Sequence, residues 1–277
     1  MKKIKKSDII ELRTGNYLIN YVLQEILKVS SKILIEACCG SVDDAVEAAK
    51  GCADRIELNS SLFFGGLTPS LGSIIEAKKR LKIPVMVMIR PRAGGFCYTQ
   101  AEMAVMLNDA KLAVEYGADG LVFGILTPDG SIGTERCRQI IELAKGREVV
   151  FHRAFDVTPD PFKALDQLIA LGFTRVLTSG QQRSVPEGIE LIKKLITRAD
   201  DKIEILPGGG IRPHNVRTII EKTGTNQVHL SAFGQQLDKS THHRPYITFG
   251  GTLHPPEDRY DLIDSSKIQS ISDLLNL

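Results

Sequence analysis

AAKGCADRIELN at Ala48–Asn59, VEYGADGLVFGIL at Val114–Leu126 and IALGFTRVLTSG at Ile169–Gly180 repeat one phrase. In each, a helical pattern ends at a glycine (Gly51, Gly117, Gly172), a short link comes next, and an apolar strand begins. A glycine just past a helix is placed to adopt the left-handed conformation that other residues resist. The strands after these glycines are apolar and β-branched, as parallel strands covered on both faces are.

Working outward from this phrase, eight strands emerge: ILIEACC, RIELN, PVMVMIRP, GLVFGIL, EVVFHRAFD, RVLTSG, IEILPGG and QVHLSAF. Helical patterns separate them. SVDDAVEAA opens with a capping box from Ser41 to Asp44. TPSLGSIIEAKKRL opens with Thr68 as cap and Pro69 at the first helical position, and TPDPFKALDQLIALG uses Asp160 and Pro161 in the same way. Strands and helices alternating at roughly 25-residue spacing are parallel βαβ units, and eight of them make a single-domain α/β TIM (β/α)8 barrel. A doubly wound sheet is the competing architecture, but the GxGxxG fingerprint is absent. Residues 1–30 form an N-terminal extension with a helix expected around Tyr17–Val29. The barrel occupies 31–277, with a long polar loop at about 234–262 that carries His242, His243 and His254.

Composition narrows the class. The 277 residues are 43% hydrophobic, enough for a large core, and the net charge of +2 is too near neutral for a nucleic-acid binder. Aromatics are 6% with no Trp, which argues against a base-stacking surface. The five cysteines, Cys38, Cys39, Cys52, Cys97 and Cys137, form no CxxC pair and suit no disulfide framework. Free thiols fit a cytoplasmic protein, and no apolar run is long enough to cross a membrane.

In a TIM barrel the chemistry sits at the carboxyl ends of the strands. Those ends carry Glu36 and Cys38, Glu57 and Asn59, Arg90 and Arg92, His152 with Arg153 and Asp156, Thr178 and Ser179, Gly208 to Gly210, and His229 with Ser231. Strand alternation puts His152 and Asp156 on the lumen side and Arg153 toward the helices, paired with a carboxylate. One reading makes Glu36, Glu57, Arg90 and His152 a buried ionic layer. Another makes the mouth an active site, with His152 as acid/base oriented by Asp156 or Glu57, and Glu36, Glu57 and Asp156 as its carboxylates. In LPGGGIRPHNV (Leu206–Val216), three glycines end a strand and Pro213 opens a helix, a geometry that suits a phosphate. Gly208, Gly209, Gly210, Thr178, Ser179, Ser231, Arg90 and Arg92 are then the ligand-binding set for a small anionic, phosphorylated metabolite.

IEACCGSVDDA, ADRIELNSSLFFGGLTPS, VMIRPRAGGFCYT, GADGLVFGILTPDG, FHRAFDVTPDPFKAL, LTSGQ and PGGGIRPHNV span Ile33 to Phe233 in one order. Together they resemble the CutC family of copper homeostasis proteins. The resemblance implies a TIM barrel, a cytoplasmic homo-oligomer and an association with Cu(I). Cys38 matches the family's cysteine at the end of the first strand, while Asn59 stands where the family often has a second. Cu(I) prefers thiolate and thioether ligands, so Cys38 is the expected copper ligand. A divalent ion held by Glu36, Glu57 and His152 is the alternative metal site, one better suited to Mn²⁺ or Zn²⁺.

Overall fold

The computed structural model describes residues 32–249 and 257–275; the helix expected at Tyr17–Val29 lies outside them. The strands are β1 (Leu34–Cys39), β2 (Arg55–Leu58), β3 (Val85–Met88), β4 (Gly120–Phe123), β5 (Glu148–Phe151), β6 (Arg175–Thr178), β7 (Glu204–Pro207) and β8 (Gln227–Leu230). All pair in parallel in the order β7-β6-β5-β4-β3-β2-β1-β8, and a bridge between Gly208 and His229 joins the two ends of that order. The (β/α)8 barrel read from the repeated phrase is the observed fold. Helices α1 (Val42–Lys50), α2 (Leu71–Arg80), α3 (Gln100–Glu115), α4 (Thr134–Ala144), α5 (Pro161–Leu171), α6 (Val185–Ala199), α7 (Val216–Thr223) and α8 (Ser265–Leu275) cover the outside.

Alternation along the strands divides the side chains. Ile35, Ala37, Ile56, Leu58, Val85, Val87, Leu121 and Phe123 face outward and join the helices in the main core. Met86, Met88, Val122, Val150, Leu177 and Leu206 face inward and fill the β3–β7 side of the lumen.

The helix starts are fixed by side-chain capping. Ser41 accepts from the Asp44 amide at 3.0 Å, and Asp160 accepts from the amides of Phe162 and Lys163 at 3.0 Å. Two expected details differ. The cap of α2 is Ser70, whose hydroxyl accepts from Ser73, while Thr68 bonds the Arg90 backbone in both directions. Gly51 is not left-handed (φ −78°); Cys52 takes that role at φ +66°. Gly51 is needed for space, since a Cβ there would stand 2.6 Å from the Ser265 carbonyl of α8.

The stretch expected as a loop at 234–262 opens and closes in an antiparallel hairpin, β9 (Phe233–Leu237) with β10 (Arg259–Ile263). These strands are short and mostly exposed, so no buried apolar run betrays them. The Ile263 amide donates to Asp44 at 2.8 Å and ties the base of the hairpin to the start of α1.

One close approach sets the position of α6. A Cβ on Gly188 would meet the Ser179 carbonyl at 1.9 Å, and one on Gly180 would meet the Gly188 carbonyl at 2.4 Å. Backbone touches backbone here, and no flexible side chain can yield. Gly188→Ala should therefore cost about 3 kcal/mol in denaturant unfolding, and a loss below 0.5 kcal/mol, roughly the scatter of a neutral surface change, would show that α6 can shift freely.

Candidate functional site

The lumen has a polar sector beside its apolar one. At the strand starts, Arg55, Arg175 and Gln227 are buried together. Arg175 pairs with Glu148 (2.9 Å) and Glu204 (2.7 Å), and the Gln227 amide oxygen accepts from Arg55 (2.9 Å) and Arg175 (3.1 Å). The Arg55 Nε–H donates to Glu36 Oε2. The other Glu36 oxygen lies 2.8 Å from His229 Nδ1. This chain of bonds rises from the closed end of the barrel toward its mouth along β8, β1 and β2.

At its upper end, ligand atoms of Cys38, Glu57 and His229 all lie within 4.8 Å of one another. The Cys38 thiol approaches Glu57 Oε2 at 3.6 Å, and His229 Nε2 is 3.9 Å from the same oxygen. The Asn59 amide donates to Glu57 Oε2 at 2.9 Å and lies 3.6 Å from the Cys38 sulfur. Among the described residues, Glu57 Oε1 and Asn59 Oδ1 are buried without a hydrogen-bond partner. A buried carboxylate oxygen left bare is an unmet demand for a proton or a cation.

This packing dictates the electrostatics. Burial works against the Glu36 charge, but the His229 hydrogen bond and the Arg55 guanidinium outweigh it and hold its pKa at about 2. Burial likewise works against His229⁺, yet Glu57 and Glu36 raise its pKa above the ordinary value. Burial, with Glu57 beside it, pushes the Cys38 thiol up. Burial pushes Glu57 up as well, assisted by Glu36. A metal ion entering here must displace the Cys38 proton, which makes its binding pH-dependent.

The other residues singled out from sequence occupy different surroundings. β5 ends at Phe151, and a 3₁₀ turn at Arg153–Val157 begins at once, so the strand alternation expected through Asp156 stops. Arg153 does not face the helices. Its Nε donates to Asp156 at 2.8 Å and its Nη2 to Ser179 at 2.7 Å, with 43% of the side chain exposed. Asp156 is filled by partners: the Thr178 hydroxyl, the Ser179 amide and hydroxyl, and the Gln181 amide, besides Arg153. It fastens the β6 loop and does not touch His152.

His152 Nδ1 accepts from the Ala154 amide at 3.1 Å, which leaves the proton on Nε2, a buried atom with no partner among the described residues. Neither Asp156 nor Glu57 orients the ring; Phe96 packs against it in a tilted arrangement, ring centres 5.0 Å apart. Burial, then the Arg90 charge, lowers its pKa to about 3.

The arginines are spent on the backbone. Arg90 donates to the carbonyls of Phe64, Gly65, Gly66 and Gly94 and lies over Phe96. Arg92 pairs with Glu102 and donates to the carbonyls of Ala93, Gly95 and Cys97. Both clamp loops where anion contacts were expected. Gly208 is buried in the barrel, while Gly209 (φ +120°) and Gly210 (φ +76°) turn the loop past Arg153, whose Nη1 would lie 3.4 Å from a Gly209 Cβ. The Ser231 carbonyl lies 3.4 Å from Arg212 Nη1.

The set Glu36, Glu57 and His152 does not converge, because Glu36 is engaged from below and His152 belongs to the β3–β5 side. His229, Arg55, Arg175 and Gln227 have no assigned role among the expectations from sequence. A parity rule could have found them: RIE, RVL and QVH each put a polar residue on the inward face of a strand start.

A family model described as the CutC family matches residues 33–234. A CutC family protein of Treponema denticola is 55% identical over 230 residues, covering 83% of this chain and 94% of that protein. The human copper homeostasis protein cutC homolog is 44% identical, covering 86% and 88%. A solved structure of a copper homeostasis protein CutC from Streptococcus agalactiae has a TM-score of 0.69 at 43% identity, covering 71% of this chain and 97% of that one. The chain belongs to the CutC family.

His152 supplies a pH signature. Its folded pKa of about 3 lies below the ordinary 6.5, so between those values the unfolded chain takes up a proton that the folded one refuses. Stability falls as pH drops through this window. Wild type should lose about 3 kcal/mol more than His152→Asn between pH 7 and 4.5. Equal losses by denaturant unfolding would mean that His152 is protonated in place.

Proposed function

We propose that this CutC-family chain serves copper homeostasis in the cytoplasm by binding a metal ion, Cu(I) foremost, in the barrel mouth through Cys38 and His229, with Glu57 beside them. The observation that carries this reading is the convergence of the three ligand atoms within 4.8 Å beside a bare carboxylate oxygen. One thiolate and one imidazole make an acceptable pair for Cu(I), and the carboxylate opens the same place to Zn²⁺. Glu36 fixes His229 through Nδ1, which leaves Nε2 toward the metal, the arrangement expected of a ligating histidine.

A second reading, an enzyme acting on a small anionic, phosphorylated metabolite, draws on one feature. Gly209 and Gly210 offer backbone instead of side chains beside the half-exposed Arg153. In that reading Arg153 replaces Arg90 and Arg92 as the cation. His152, neutral and with a free Nε2–H, orients a ligand and does not carry protons.

Cu(I) titration against a competing chelator tests the first reading. Cys38→Ser should weaken binding at least 100-fold and His229→Gln on the order of tenfold, while Cys52→Ser and Cys97→Ser leave it unchanged. Undiminished affinity in Cys38→Ser would remove the site. For the second reading, phosphate should raise the melting temperature saturably, beyond chloride at matched ionic strength, and Gly209→Ala should abolish the difference. Identical shifts from phosphate and chloride in the wild type would eliminate the anion site.

A further inference from the structure

Arg55 lies one inward position below Glu57 on β2 and takes no part in the metal set. Its partners are nonetheless specific. It donates to Glu36 through Nε and to Gln227 through Nη2, and Gln227 is held in turn by Arg175 and Glu204. Glu36 sits two positions before Cys38 on the same face of β1. Each of its oxygens has a partner, Arg55 on one and His229 on the other.

We infer that Arg55 sets the metal preference of the site, by holding the Glu36 carboxylate below it and neutralising its charge. The inference rests on the metal-binding reading above. Without Arg55, Glu36 would keep His229 but lose its direct guanidinium partner, leaving more negative charge in the lumen within reach of the same space. A divalent ion gains about twice the Coulomb energy of a monovalent one from such a charge. A hard oxygen donor also favours Zn²⁺ or Mn²⁺ over Cu(I). With Arg55 present, Glu36 acts only through His229, whose Nε2 it points upward. Gln227 fixes Arg55 from the closed end, so Arg55 cannot move with Glu36 toward the mouth. The cation therefore shapes the site without touching its ligands and acts as a positioning residue.

The test uses the full chain as wild type, Arg55→Gln, Glu36→Gln and the double variant. Cu(I) and Zn²⁺ affinities are measured by chelator competition, and Co²⁺ absorption bands report the ligand field. Arg55→Gln should move the Cu(I)/Zn²⁺ affinity ratio toward Zn²⁺ by roughly 10- to 100-fold and change the Co²⁺ bands. Glu36→Gln leaves Arg55 uncompensated and should move the ratio the opposite way. The double variant, with neither charge, should return to the wild-type ratio. If Arg55→Gln fails to fold, the direction of the Glu36→Gln shift and the double variant's return still decide the matter. An unchanged ratio in the single variants, or a double variant that keeps either shift, would overturn the inference while leaving the metal site intact. Wild-type metal binding that does not depend on Cys38 would instead overturn the underlying reading and the inference with it.

Discussion

A carboxylate buried in a barrel lumen stays ionised only if cations and hydrogen bonds enclose it, and Glu36 is the place in this protein where that requirement is met. Arg55 grips it from one side and His229 from the other. Each of those groups is buried too and needs further partners. Arg55 reaches Gln227, Gln227 reaches Arg175, and Arg175 reaches Glu148 and Glu204, which are half-exposed at the strand starts. The chain ends where water can take over. The polar sector is thus one connected network, and it fixes His229 through Glu36. Removing Arg55 or Glu36 alone would strand its partner's charge in a low-dielectric interior, a larger cost than the pair's own net contribution.

The same need for satisfied polar groups explains why a charged residue at the barrel mouth is a poor guide to ligand contacts. Arg90 and Arg92 stand at the end of β3, where a phosphate-binding side chain would be sought. Their guanidinium groups are taken up by loop carbonyls that helices and strands leave bare. An irregular loop over a barrel carries many unpaired carbonyls, and an arginine fork can satisfy several at once. Asp156 does the complementary work, collecting the free amides and hydroxyls of the β6 turn. Arg153, half-exposed and adjacent to the glycine turn, is a cation of this region that retains open surface.

These distinctions mark how far the fold and site were legible in the residues. The barrel was readable because helix end, glycine and apolar strand recur as one phrase, and burial on both faces leaves a strand little choice of composition. Cap residues such as Ser41 and Asp160 were readable because a single side chain meets a local backbone need. The facing of Arg153 was not, because strand alternation ends at Phe151 and a 3₁₀ turn rotates the residues after it. Strand length is set by pairing with neighbours, and here the β5 ladder stops two residues before Arg153. His229 was visible at a strand end, but its importance depends on Glu36 and Glu57, far away in the chain and adjacent only once β8 closes against β1.

Family membership associates this chain with copper homeostasis, and the donor atoms decide what kind of copper site it can offer. Two thiolates would favour Cu(I) through ligand softness; this barrel supplies one at its mouth, with Asn59 donating a hydrogen bond toward it. An amide N–H directed at a sulfur stabilises the thiolate but adds no ligand, so on the proposed reading a soft ion would be held by Cys38 and one imidazole. Glu57 accepts from Asn59 and from the Cys38 thiol, and on the proposed reading loss of that thiol's proton would open the carboxylate to an ion as well. A site of this kind binds less tightly than a bis-thiolate one and exchanges its ion more readily. On the proposed reading its selectivity would rest less on ligand softness than on how much negative charge the lumen presents, a quantity set below the ligands by the pairing of Glu36 with Arg55.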